Sequence, residues 1–485
     1  MKLNLNRLNY FKKEYLVILL GLIISIFTSI NHLSKYDKIY EPIEGPKYHQ
    51  MIKNDVYTVW TTADEIRNDL NNGNDFFQSL PEFKREFLPS VIVGLYYHIL
   101  DKEIFDLTNG EKNIKENNLK LGILLIQTIL YFLSVYFLFY TIQNNFIKKK
   151  EYEIPLFIII LFLSLEPTIN QFNSSFTSES FFMSMIIILF SLLLKKNNNY
   201  IIFVFSGILV GLIFAQRPVS IFFFIPVSIF YLIVYKNKLQ NLLLFLLGFS
   251  IIIGSIGTIN YKKSNHFYIV SMLHQYYSYY FYFAHVIYAD KYNLEESDAK
   301  IILNKKEQEW RNINNIQIDD INVPIENYDR KDLKKIINYR NTEFIKLVIL
   351  NPFISSKLFI KKSLVGVLFA PNLIKNSYYF DKTSPEAKNN RKEYYNKNLK
   401  FYLAYSTIFY FFIITGLIIY FKRIYLNKNL TLFDKFLFFN ICSVIYFVLM
   451  SGFWGNPKYF LPCILNLSFF FSDGLSFFIK KYTFK

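Results

Sequence analysis

A few charged side chains in this 485-residue chain stand beside long apolar runs. Asp64 and Glu65 are adjacent in WTTADEIRNDLNNGNDFFQSLPEFKREFLPSVIVGLYYHIL (residues 60–100), which also carries Arg85. Glu179 stands just before one apolar run, Arg217 and Pro218 close another, and Lys458 and Tyr459 stand at the start of the last. A positioned carboxylate can take a proton from an attacking hydroxyl, and fixed cations can hold a departing anion. Each residue also has a local explanation. Thr62 and Glu65 have the spacing of a capping box, and Asp64 then falls in a first helical turn, where the dipole favours an acid. Glu179 also suits a helix start, and Arg217 suits a side chain reaching for the interface before a helix-starting proline. Position favours chemistry for the acidic pair, because it opens a helix close behind the first apolar run, at the outer membrane surface.

The elements that must position these residues are apolar runs of about 15–20 residues, the mark of membrane spans. They fall at 15–30, 121–141, 154–170, 181–194, 201–215, 219–235, 241–259, 401–421, 432–451 and 457–474, which makes ten spans. Glu166 and Pro167 interrupt the third. The first has the basic start and apolar middle of a signal peptide, but no small-x-small cleavage pattern follows, so it reads as a retained span. Between the first two spans the spacing predicts a short helix over 63–72, closed by Gly73 at C′. An extended piece with Pro81 follows, and Pro89 starts an apolar helix.

Composition agrees. Apolar residues make up 52% of the chain and charged residues 19%, against about 25% charged in soluble domains. A single soluble domain, a disordered chain and a disulfide scaffold are excluded. Cys442 and Cys463 both lie in apolar runs with no metal-ligand spacing. The net charge of +17 needs no nucleic-acid partner, because membrane proteins collect Lys and Arg on cytoplasmic loops. Lys, Asn, Ile, Phe and Tyr, which have AT-rich codons, are abundant, so aromatic content alone marks no binding platform.

With the N-terminus inside, the inner loops carry Lys148–Lys150, Lys195–Lys196, Lys236 and Lys238, Lys422–Arg423 with Lys428, and Lys480–Lys481. The alternation holds when residues 260–400 contain an even number of spans, most simply none, and 266–289, rich in Tyr and His, stays outside the membrane. Two large outer segments result, 31–120 and 260–400, with a short third at 166–180. Helices are expected at 292–310 and 328–350, and an interfacial helix at 351–370 whose Lys357, Lys361 and Lys362 meet lipid phosphates. No ionisable residue clearly stands at the middle of a span and no internal repeat is visible, which points away from a transporter.

The run D-E-I-R-x-x-L-x-x-G-x-x-F, with its later prolines, resembles the first outer loop of the GT-C glycosyltransferases. These integral-membrane enzymes include the protein mannosyltransferases and the bacterial aminoarabinose transferase. E-P-T-I-N-Q-F-N-S-S-F-T-S-E at 166–179 resembles the second outer loop of that superfamily, with Glu179 at its acidic position. G-L-I-F-A-Q-R-P at 211–218 resembles its Arg-Pro stretch. N-P-K-Y-F-L-P at 456–462 is similar to a late Arg-Tyr-x-x-Pro motif, with Lys458 in place of Arg. The chain departs in having only Pro89 where a double proline is frequent. The resemblance is thinnest over 261–400, where only N-P-F-I at 351–354 and the basic helix behind it look familiar.

The resemblance implies an all-α polytopic membrane protein with a catalytic transmembrane part at 1–260, an extracytoplasmic helical module at 261–400 and C-terminal helices at 401–485. It implies transfer of a sugar from a polyprenyl-phosphate donor to a glycan, lipid or protein acceptor, with inversion, in the cell envelope. The site would face outward from a bacterial plasma membrane. Asp64 matches the catalytic acid and serves as general base. Glu65 and Glu179 orient the acceptor, or hold a divalent cation as in some members of the superfamily, although no His or Cys cluster adds ligands. Arg217, Lys458, Tyr459 and Arg85 match the donor-phosphate site. A lipid-linked polysaccharide polymerase, ligase or flippase is the alternative class, and a non-enzymatic scaffold a third.

Overall fold

The structure, a computed structural model, describes residues 5–39, 55–80, 87–108, 111–114, 117–146, 153–174, 178–195, 199–270, 280–316, 329–369, 385–426, 430–452 and 460–483. The chain opens with α1 (Leu5–Ile39), followed by α2 (Asp55–Asn71), the single turn α3 (Phe76–Ser79) and α4 (Phe87–Ile99). A small antiparallel hairpin, β1 (Phe105–Thr108) and β2 (Glu111–Ile114), pairs Phe105 with Ile114 and Thr108 with Glu111. Then come α5 (Asn117–Phe146), α6 (Glu153–Leu165), α7 (Pro167–Ser174), α8 (Ser178–Leu193) and α9 (Tyr200–Gln216). A 3-10 turn, Pro218–Ser220, leads to α10 (Phe224–Val234) and α11 (Lys238–Ser264). A π turn at Tyr280–Ala284 precedes α12 (His285–Tyr292), α13 (Glu296–Ile313), α14 (Arg330–Leu350) and α15 (Pro352–Phe369). The chain closes with α16 (Pro385–Leu426), α17 (Leu432–Ser451) and α18 (Leu461–Thr483).

This is an all-α polytopic membrane protein. Six of the described helices, α1, α5, α11, α16, α17 and α18, are long and apolar enough to cross a membrane. The other four expected spans fall on α6, α8, α9 and α10, of 13, 16, 17 and 11 residues, shorter than the ~20 an upright span needs. The run at 154–170 is two helices, because α6 stops at Leu165, Glu166 is non-helical and Pro167 starts α7.

The helix expected over 63–72 begins instead at Asp55. Val59, Trp60, Ala63 and Ile66 are all buried, so an apolar stripe at helical spacing extends past the capping signal and continues the helix N-terminally. Thr62 is therefore an interior residue, and Asp64 and Glu65 lie outside the first turn, where no helix-dipole argument applies to them. The C-terminal expectation agrees with the structure. Gly73 takes φ +85°, its N–H bonds the Leu70 carbonyl at 3.1 Å, and the Asn74 N–H bonds that of Asp69 at 3.2 Å. This is a Schellman closure.

Helices α9 and α11 run parallel and approach backbone to backbone. A Cβ on Gly207 would stand 1.9 Å from the Phe245 carbonyl oxygen, and one on Gly248 would stand 2.1 Å from that of Val204. Following the chain through the bundle puts the α2–α4 helices, the α6–α7 junction, the 3-10 turn and α12–α15 at one end, the site end. Lys263 Nζ there donates to the Gln78 carbonyl at 2.8 Å, and the Tyr410 hydroxyl donates to the Val367 carbonyl. The three helices expected between 292 and 370 are α13, α14 and α15. Glu307 on α13 takes a bidentate bond from Arg340 on α14, both arms at 2.8 Å, and pairs with Arg311. At the opposite end Arg423 pairs with Asp473 and with Asp434, and Lys195, Lys236, Lys238, Lys480 and Lys481 gather there. Lys148–Lys150, Lys428 and residues 271–279 lie outside the described residues.

Candidate active site

Arg217 ends α9. Its N–H still donates to the Ile213 carbonyl at 3.0 Å, but its φ of −143° leaves the helix. Pro218 lacks an N–H and starts the 3-10 turn. Tyr446 of α17 braces that turn. Its hydroxyl donates to the Val219 carbonyl at 2.6 Å and accepts the Phe222 N–H at 3.1 Å. The backbone is therefore pinned on both sides of the arginine.

The guanidinium Nη2 of Arg217 donates to Oε1 of Glu179, in the first turn of α8. The two side chains are only 5% and 3% exposed. Phe182, one turn further along α8, presents its ring 5.6 Å from the Arg217 guanidinium carbon. Arg217 is thus a buried, carboxylate-paired cation, and the interface-seeking reading does not describe it. Burial of both charges makes each depend on the other.

A second polar cluster surrounds α7. Glu166 caps that helix, its Oε2 accepting the Ile169 N–H at 2.8 Å, while its Oε1 accepts the Tyr405 hydroxyl of α16 at 3.1 Å. Ser25 of α1 donates to Asn170 at 2.6 Å, and Gln127 of α5 and Ser180 of α8 bond to Asn173, each at 2.8 Å. These bonds hold a non-spanning helix among apolar neighbours and so position the start of α8, where Glu179 stands. The sequence reading passed over Glu166 and Tyr405. The available signal was an acid interrupting an apolar run.

Asp64 is half-buried and Glu65 exposed on α2. Helix α2 packs on α4, where Gly94 lies against the Ala63 carbonyl and Ile66. Ile66 and Leu80 also pack with Ile259 of α11. The acidic pair and the Arg217–Glu179 pair therefore belong to the same end of the bundle, and Glu179 and Arg217 are in direct contact. Arg85, Lys458 and Tyr459 lie outside the described residues. Among the described residues no three His, Cys, Asp or Glu side chains gather as a metal site.

No protein-family model matches the sequence, and no curated protein sequence matches it. Among solved structures, the archaeal oligosaccharyltransferase AglB from Archaeoglobus fulgidus, in complex with an inhibitory peptide and a dolichol-phosphate, is similar at 12% sequence identity and a TM-score of 0.42. The match covers 96% of this chain and 50% of that one, so the chain spans half the length of AglB.

Proposed function

We propose that this protein is a GT-C type glycosyltransferase that moves a sugar from a polyprenyl-phosphate donor to a glycan, lipid or protein acceptor. Asp64 takes the proton of the acceptor hydroxyl as its oxygen bonds to the anomeric carbon. The bond from that carbon to the phosphate oxygen breaks, and its electron pair leaves with the polyprenyl phosphate. Attack from the side opposite the phosphate inverts the anomeric centre. No general acid is required, because the leaving phosphate already accommodates its charge. Glu179 fixes Arg217, which meets the phosphate together with Lys458, Tyr459 and Arg85. Glu65 orients the acceptor, and helices α12–α15, within the 261–400 module, cover the acceptor side. The site faces outward from a bacterial plasma membrane, consistent with the lysines gathered at the opposite end.

One observation carries the reading. Glu179 and Arg217 come from two motifs selected separately in the sequence, 38 residues apart, and they share one buried ion pair. The test is incubation of purified protein with defined polyprenyl-phosphate sugars and acceptors, followed by mass spectrometry of the lipid. One of them is consumed by the wild type. Asp64→Asn lowers that rate by roughly 10²–10⁴-fold, the usual contribution of proton abstraction, with an unchanged unfolding midpoint. If no lipid-linked sugar is turned over with any acceptor, the proposal fails.

A further inference from the structure

We propose that Arg67 of α2 is a phosphate-binding residue, holding the phosphate group that the site receives. The inference deepens the functional reading above and rests on it for the place of phosphate in the reaction. Arg67 is only 9% exposed. It occupies an apolar position of its helix, flanked at helical spacing by Trp60, Ala63 and Leu70.

The other buried or partly buried arginines offer a direct contrast. Arg217 pairs with Glu179, Arg311 and Arg340 pair with Glu307, and Arg423 pairs with Asp434 and Asp473. Arg67 forms no ion pair among the described residues. Its Nη1 donates to the neutral Oδ1 of Asn68 at 2.8 Å, and its buried Nε has no hydrogen-bond partner among the described residues. A guanidinium cannot shed its proton to escape burial, and a buried charge is costly unless an opposite charge meets it. The planar fork of donors matches two oxygens of a phosphate. Arg67 also follows Asp64 by three residues, on an adjacent part of the same helix face. A phosphate on Arg67 would therefore lie beside the proposed base.

The experiment uses full-length protein in detergent, with thermal unfolding read against farnesyl phosphate, inorganic phosphate and the neutral alcohol farnesol. Farnesyl phosphate raises the wild-type midpoint and farnesol does not. In Arg67→Gln the affinity for farnesyl phosphate falls by roughly 30-fold or more, as when one partner of a buried charge pair is removed. Without ligand, that variant unfolds at the wild-type temperature or above, because it removes an uncompensated charge. Equal affinity for inorganic phosphate assigns the residue to free phosphate, and preference for farnesyl phosphate assigns it to a lipid-borne one. The inference is overturned if Arg67→Gln binds farnesyl phosphate as the wild type does, if farnesol stabilises equally, or if the ligand-free midpoint falls. Sugar transfer assayed in parallel separates the two readings. Transfer with unaltered phosphate binding by Arg67→Gln sinks only this inference, and Arg67-dependent binding with no sugar consumed sinks only the transferase.

Discussion

Glu179 at the start of α8 and Arg217 at the end of α9 neutralise one another inside the protein. Removing either partner alone leaves a buried charge unmet, which costs about 3–5 kcal/mol. Glu179→Gln and Arg217→Gln should each lower the unfolding midpoint markedly, whereas replacing both together by apolar residues of similar size should recover much of the loss. A double-mutant cycle on thermal unfolding measures the coupling. A coupling near zero would mean that the contact contributes nothing to stability.

Glu166 ties the α6–α7 junction to α16, because its Oε2 accepts the Ile169 N–H and its Oε1 accepts the Tyr405 hydroxyl. Glu166→Ala leaves those donors unmet, which should cost about 1–3 kcal/mol for each that stays buried and lower the unfolding midpoint. A midpoint equal to that of the wild type would contradict the role of this side chain as cap and brace.

The close approach of α9 and α11 sets a steric limit. A side chain at Gly207 would overlap the Phe245 carbonyl, so Gly207→Val must separate the two helices or fail to fold. Overpacking typically costs about 1–3 kcal/mol, occasionally more, and Gly254, whose added Cβ would meet nothing within 4 Å, is the control. Unfolding midpoints of Gly207→Val and Gly254→Val that move together would contradict the packing described.

Helix α15 presents Phe353, Lys357, Ile360 and Leu364 along one exposed face, with Phe353 91% exposed. Apolar side chains interleaved with lysines suit a lipid headgroup layer. A spin label at Phe353→Cys, in a Cys442→Ser/Cys463→Ser background and in nanodiscs, should collide with oxygen more than with a water-soluble nickel chelate. A label at exposed Lys305→Cys on α13 should show the reverse. Water-like accessibility at position 353 would place this face away from lipid.

Much of the architecture was legible because apolar run length is a strong signal. The runs at 241–259 and 432–451 became α11 and α17 with small shifts at the ends, and Gly73 closed its helix as its lack of a side chain allows. The start of α2 was misread because Thr62 and Glu65 satisfy a local rule, while the packing of Trp60 and Ala63 against α4 is a tertiary fact that local spacing does not contain. The site was legible in its parts. Glu179 and Arg217 were visible as candidates, but nothing in a linear reading pairs residues on different helices. Arg67 passed as one letter of a motif, because what sets it apart is that it forms no ion pair among the described residues, which only the folded arrangement shows. Tyr405 was hidden among many tyrosines.

Helix α16 is 42 residues long and unbroken from Pro385, beyond the apolar zone, to Leu426 at the far side of the bundle. Between Pro385 and Tyr405 it advances about 30 Å. An unbroken helix links its outer turns directly to Tyr405, whose hydroxyl donates to Glu166. Displacement of its outer turns is therefore felt at the α6–α7 junction, the turn that leads into the helix ahead of Glu179.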